Sequence, residues 1–326
     1  MHDSLSNYHT KNKMNLNKNK KYTSEQTYFV AFFLMIVFIL FIRAPEIILK
    51  GRFWAEEGTQ YFKYAYEHNI LETLFWVYFR CGYYYFSANL SVLLAALVPL
   101  EFAPFVATFC SFSITIIIVY VIYFTPSYLL TNNFLKILFC FYLVIGPQVV
   151  AEVYCNAVNT QVYWGIFGVM ALFFDYAELE NRNAKGYIPK REMLDVMLVI
   201  ASLSGLYCVI LFPFFIFRFL LQKDKHVFKQ ITYMTLPFFI QSGLVIYSKF
   251  FAGLASTKMN LNLFDFEKIV YSLRQQFIRP LFGIRKTNNI SMGGLIFCIA
   301  IFIVIYSINL YLYRNNKKLV IQYIML

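Results

Sequence analysis

The run Phe102–Phe124, FAPFVATFCSFSITIIIVYVIYF, carries no charged side chain from end to end. An apolar stretch of that length matches the ~20 residues a helix needs to cross a hydrocarbon core. Tyr28–Ile42 and Leu295–Tyr313 read the same way. Of the 326 residues, 60% are hydrophobic and 14% charged, with 37 Phe, 26 Tyr and 3 Trp, and mean hydropathy is +0.57. Soluble domains run at about 45–50% apolar and about 25% charged. The composition excludes a disordered chain, a secreted disulfide scaffold and a soluble enzyme. It predicts an all-α, polytopic transmembrane helical bundle.

Spans are expected at about 27–49, 84–99, 103–125, 134–149 and 161–177. A short pair over 193–221, broken near Ser204–Gly205, then precedes spans at 231–250 and 292–313. That makes about eight or nine crossings. Residues 1–22, rich in Asn, Lys and Ser, read as a mobile cytoplasmic tail, 23–313 as the transmembrane domain and 314–326 as a short basic tail. The net charge of +12 has its cause in Lys and Arg gathered between the hydrophobic runs, the pattern that holds cytoplasmic loops inside. No stacking or zinc motif accompanies it, so nucleic acid is not an expected partner. The N-terminus, 178–192, 222–230 and the C-terminal tail fall inside; 50–83, 150–160 and 251–291 fall outside. This assignment needs an odd number of crossings from 84–125, which nevertheless reads as two helices. Glu67–Phe79 has a helical apolar face suited to lying along the outer leaflet, and 269–277 has another. Cys81 and Cys155 lie near span ends on one side, where a disulfide is conceivable, although none of the six cysteines shows CxxC spacing.

The chemistry concentrates in Arg52-Phe53-Trp54-Ala55-Glu56-Glu57-Gly58, directly after the first span. Two readings stand. The pair is a solvated loop start with Trp54 anchored at the interface, or one carboxylate is a general base and the other meets a divalent metal or a sugar hydroxyl. A second group is Glu152, Asn156, Asn159, Gln161 and Trp164, where amides can bond ring hydroxyls and an aromatic can stack on a sugar face; helix capping by the Asn residues is the alternative. Ser202-Leu203-Ser204-Gly205 divides two short apolar runs and reads as a turn. Arg274 and Arg279 make an outer loop basic, against the usual bias. They suit a phosphate or the headgroups of anionic membrane lipid. Histidines add little, and there is no P-loop, G-x-S-x-G or G-x-G-x-x-G.

A span followed by a short outer loop bearing an acidic pair, then interfacial helices, resembles the GT-C superfamily of integral-membrane glycosyltransferases. Trp54-Ala55-Glu56-Glu57-Gly58 is similar to the W-A-E-D-G string of bacterial multi-span members, some of them like O-antigen glucosyltransferases of lipopolysaccharide assembly. Pro147, Glu152, Asn159, Gln161 and Trp164 resemble that group's Pro…Glu…Asn-x-Gln-Trp stretch, with Val162 and Tyr163 intervening before the Trp. This chain departs from the pattern in having Glu57 at the Asp place and no Asp-x-Asp string. The resemblance implies a glycosyltransferase-like domain over 23–313 in the bacterial inner membrane. It would move a sugar from a polyprenyl-phosphate donor to a cell-surface glycan acceptor at the outer face. Glu57 or Glu56 would be the base, Trp54, Glu152, Asn156, Asn159, Gln161 and Trp164 would hold substrate, and Arg274 and Arg279 would take the phosphate. The rival expectation is a non-enzymatic flippase, transporter or assembly protein for lipid-linked sugars. It predicts charges lining a route through the membrane, for which Arg43, Glu46, Asp195 and Arg218 are the candidates.

Overall fold

The computed structural model describes residues 30–145, 154–183 and 189–250, the side chains of 249 and 250 excepted. The expected tails, the 251–291 loop with Arg274 and Arg279, the 292–313 span, and Pro147 and Glu152 all lie outside the described residues. Of those described, 77% are helical. Extended pairing among them is confined to two isolated antiparallel bridges, Tyr85 with Ser204 and Ser127 with Phe174. By internal contacts the chain divides into two units, Met1–Pro45 and Glu46–Leu326. The described part of the first is α1 (Val30–Arg43), an apolar helix.

After α2 (Pro45–Lys50) and a π-helical turn (Glu57–Phe62) come α3 (Lys63–Glu67) and α4 (Ile70–Leu74). Of the single amphipathic helix expected over 67–79, only Ile70–Leu74 forms a helix of its own, α3 ending at Glu67 and 75–79 being non-helical. His68 is extended, and Asn69 starts a new helix by accepting from the Glu72 N–H at 2.9 Å. The apolar face survives, because Ile70, Leu71 and Phe75 are exposed.

The main helices are α5 (Phe86–Ala96), α6 (Ala103–Phe124), α7 (Asn133–Ile145), α8 (Gln161–Ala171), α9 (Tyr176–Asn183), α10 (Arg191–Leu203), α11 (Tyr207–Gln222) and α12 (Lys225–Phe250). Two of them, Ala103–Phe124 and Lys225–Ser248, are long and apolar enough to cross a membrane. Pro104 opens α6, and the chain turns extended at Thr125 because Pro126 follows. At 22 residues, α6 is about 33 Å long. Lys225 and Lys229 do not sit in a loop over 222–230; they form the first turns of α12, which starts once Lys223 has taken a left-handed backbone (φ 49°). The break expected at Ser204–Gly205 is present, between α10 and α11.

The helices pack as α5 on α6, α8 on α10 and α11, and α12 on α10 and α11. Along α6, Ala103, Ala107, Ser111 and Thr115 recur every fourth position and are all buried. Such a stripe of small residues lets a neighbouring backbone approach closely, and Ala88, Val92 and Ala95 of α5 join Ala103 and Ala107 in one core cluster.

Two ends can be told apart. At one, Tyr85, Thr160 and Ser204 meet. At the other, Tyr128 N–H donates to Phe173 O and Asp175 N–H to Pro126 O. Helix α8 runs from the first end to the second. Helix α5 begins beside Thr160, and the start of α6 lies against Gly51. Two buried cations close helices at the second end. Arg218 donates to Ala171 O (3.1 Å), Leu172 O (2.7 Å) and Phe174 O (3.2 Å) after α8. Lys136 donates to Tyr123 O (2.9 Å) and Thr125 O (2.8 Å) after α6. Carbonyls at a helix C-terminus lack intrahelical partners, and these side chains supply them.

Candidate active site

The acidic string is fastened before its carboxylates are reached. Gly51 has φ +67° and passes so close to α6 that a Cβ there would lie 2.3 Å from Phe105 N. The Arg52 N–H donates to Thr108 Oγ1 at 3.1 Å, and its guanidinium donates to Tyr154 O at 3.1 Å while lying 5.0 Å over the Trp54 ring. Ala55 takes a left-handed backbone (φ 47°). The resulting kink separates the two acids: Glu56 and Trp54 are exposed, and Glu57 is 1% exposed.

Both Glu57 oxygens have backbone partners. Oε2 accepts from the Trp54 N–H at 3.1 Å and Oε1 from the Ala157 N–H at 2.8 Å. The second bond joins the string to the loop before α8, a hundred residues away in sequence. Burial pushes the Glu57 carboxyl up to about 7, against the pull of these two N–H groups and of Arg52.

The loop before α8 has its own scaffold. Asn156 is buried, and its Oδ1 accepts from the Val158 and Asn159 N–H groups at 2.8 and 3.2 Å. Asn156 therefore caps the 3-10 turn Val158–Thr160, and Asn159 lies within that turn. Gln161 is turned outward: its backbone N–H donates to the Tyr85 hydroxyl and its Nε2 to the Tyr83 hydroxyl at 3.1 Å. Trp164 is buried edge-on against Phe167 in the core. So the structure brings Glu56, Glu57, Asn156, Asn159 and Gln161 into joined segments, leaves Trp54 at the surface and puts Trp164 beneath it.

Two further segments complete the arrangement. Ser204 Oγ accepts from the Ser87 N–H at 3.2 Å, and Gly205, at φ +116°, lies against Gln161 so closely that a Cβ would be 2.9 Å from its Oε1. The third sequence element thus meets the second. The stretch Gly82-Tyr83-Tyr84-Tyr85 was not singled out by sequence reasoning; its signal is a glycine followed by three tyrosines at a helix start. Helix α12 grips it. Gln241 Oε1 accepts from the Tyr84 N–H (3.0 Å) while its Nε2 donates to Tyr84 O (2.9 Å), and Ser248 Oγ donates to Phe79 O at 2.8 Å. Beneath, the hydroxyls of Tyr85, Ser87 and Thr160 bond one another, with Thr160 donating on to Ala157 O.

Cys81 and Cys155 are not joined in the disulfide that their positions in the sequence allowed. Among the described residues no three His, Cys, Asp or Glu side chains gather as metal ligands. Compared with family models, with curated proteins and with solved structures, the chain matches none.

Proposed function

We propose that the chain is a multi-pass glycosyltransferase of the bacterial inner membrane, transferring a sugar from a polyprenyl-phosphate donor to a glycan acceptor at the outer face. One observation carries the reading: the Glu57–Ala157 bond ties the acidic string to the amide-bearing loop and leaves Glu56 exposed beside it. A general base has to reach an acceptor hydroxyl, whereas Glu57 is enclosed with both oxygens engaged. Glu56 is therefore the base, and Glu57 the residue that positions it. Glu56 takes the acceptor proton, the acceptor oxygen bonds to the anomeric carbon, and the bond from that carbon to the phosphate oxygen breaks, its electron pair leaving with the polyprenyl phosphate. Arg274 and Arg279 are assigned to that phosphate from sequence.

The sorting of the ends supports a membrane orientation with this site outside. Arg182, Lys190, Arg191, Lys223, Lys225 and Lys229 belong to segments at the opposite end, as the positive-inside bias requires. Reading α5 as a re-entrant segment lets 84–125 cross once, which supplies the odd number that the charge pattern needs. The proposed bundle has eight crossings: the first span, α6, α7, α8, α10, α11, α12 and, from sequence, 292–313. The flippase reading is weakened, because Arg218 serves backbone carbonyls and Asp195 pairs with Lys229 at 3.2 Å; neither lines a route.

The test is sugar transfer from a polyprenyl-phosphate hexose in membranes. Loss of a positioned general base costs on the order of 10²–10⁴ in rate, so E56Q is expected to lose at least a hundredfold, and E57Q less. Undiminished transfer by E56Q would remove the proposed base.

A further inference from the structure

Next to Glu56 lies a group of side chains that the reaction as drawn leaves unused. Tyr61 is 1% exposed, and its hydroxyl has no hydrogen-bond partner among the described residues. Its ring is fixed edge-on by Trp76 (5.0 Å) and Tyr78 (6.0 Å). A buried hydroxyl left unpaired is destabilising, and proteins keep such groups where something else supplies the partner. Tyr61 and Tyr85 share one buried cluster, with Tyr83, Trp76 and Tyr78 packed on its flank. Tyr83, half-buried, accepts from Gln161 and retains its own proton to donate. The Gln161 amide is held between that hydroxyl and Gly205. Glu56 directly precedes the π-helical turn that carries Tyr61, and its charge makes Tyr61, Cys81 and Tyr83 each harder to ionise.

The chemistry of this group selects a ligand class. Burial pushes Tyr61 well above the usual phenol range and Tyr83 up to about 12, so both stay neutral donors. An anion would be repelled by Glu56, and an apolar ligand would leave the Tyr61 hydroxyl unpaired. A ring bearing several hydroxyls answers every group: it accepts from the two phenols and donates to the carboxylate and the Gln161 carbonyl oxygen. Aromatic walls suit its C–H faces.

We propose that Tyr61, Tyr83 and Gln161, with Glu56 at the rim, form a subsite for the hydroxyl groups of a hexopyranose. This rests on the transferase reading for its place in a reaction, but not for the binding itself.

The test uses the full chain in lipid nanodiscs and saturation-transfer NMR with methyl glycosides of glucose, galactose and mannose, and with tetramethylammonium as a cationic probe. At least one glycoside should receive saturation from the wild type. Y61F removes only an unpaired hydroxyl, so it should keep the thermal midpoint while weakening that signal at least threefold; Q161L should weaken it too. Signals to tetramethylammonium alone, or to no probe, would overturn the subsite. So would a Y61F variant that binds and turns over as the wild type does, and in that case transfer by the wild type would leave the transferase reading standing. Glycoside binding that Y61F abolishes, in a wild type without transfer, would keep the subsite and remove the enzyme.

Discussion

Replacing Glu57 by Gln tests the burial argument directly. In the unfolded chain this acid titrates near 4.5, and in the fold near 7. The fold therefore binds the proton more tightly. Stability from this group is full below about pH 4.5, falls as pH rises and reaches its floor above about 7. At ~1.4 kcal/mol per tenfold in proton affinity, the loss is roughly 3 kcal/mol. Gln does not titrate, but its NH₂ must face either the Trp54 or the Ala157 N–H, which forfeits one hydrogen bond at about 1–3 kcal/mol. The wild type should thus be the more stable protein near pH 4.5 and should lose that lead by pH 8. The assay is the thermal midpoint of each purified protein, followed by tryptophan fluorescence across that range. The gap between the two midpoints is expected to move by about 5 °C or more. Parallel curves, with a gap constant from pH 4.5 to 8, would refute the claim that Glu57 ionises at a cost in the fold.

Arg218→Met strands the Ala171, Leu172 and Phe174 carbonyls in a buried place and should cost roughly 3 kcal/mol or more; R218K should recover only part, since an ammonium lacks the guanidinium fork. Both are read from folded yield and thermal midpoint, and a full rescue by Lys would contradict the three-carbonyl account. Gly51→Ala adds a Cβ at φ +67° against the α6 backbone and should lower the midpoint by an amount equivalent to about 2 kcal/mol or more. Gln241→Leu removes both bonds to the Tyr84 backbone; deuterium exchange over 79–86 should quicken at least tenfold, and exchange at the wild-type rate would show that α12 does not hold this segment.

The helical class and the membrane setting were legible in Phe102–Phe124, because hydrophobic content and the absence of charge are local properties that no packing changes. The α10–α11 turn was legible for a similar reason, since Gly205 adopts a backbone that few other residues tolerate. Helix lengths were less so. The apolar run at 84–99 reads as a span, yet α5 occupies only Phe86–Ala96, about 16 Å of helix. The helix expected over 67–79 is cut to Ile70–Leu74, starting where the Asn69 side chain caps it, a choice that periodicity does not register.

At the site the division is sharper. The residue types in 52–58 and 156–164 announce polar chemistry beside a membrane, and sequence determined that much unaided. Which of two adjacent carboxylates stays exposed was a tertiary decision. It depends on a left-handed Ala55 and on an N–H from Ala157, a hundred positions away. Tyr61 and Tyr83 look in the sequence like any others among 26 tyrosines. What sets them apart is one hydroxyl without a partner among the described residues and one amide contact, and both depend on packing between distant segments. Local composition sets what a segment can do; long-range packing sets which of its atoms are left free to do it.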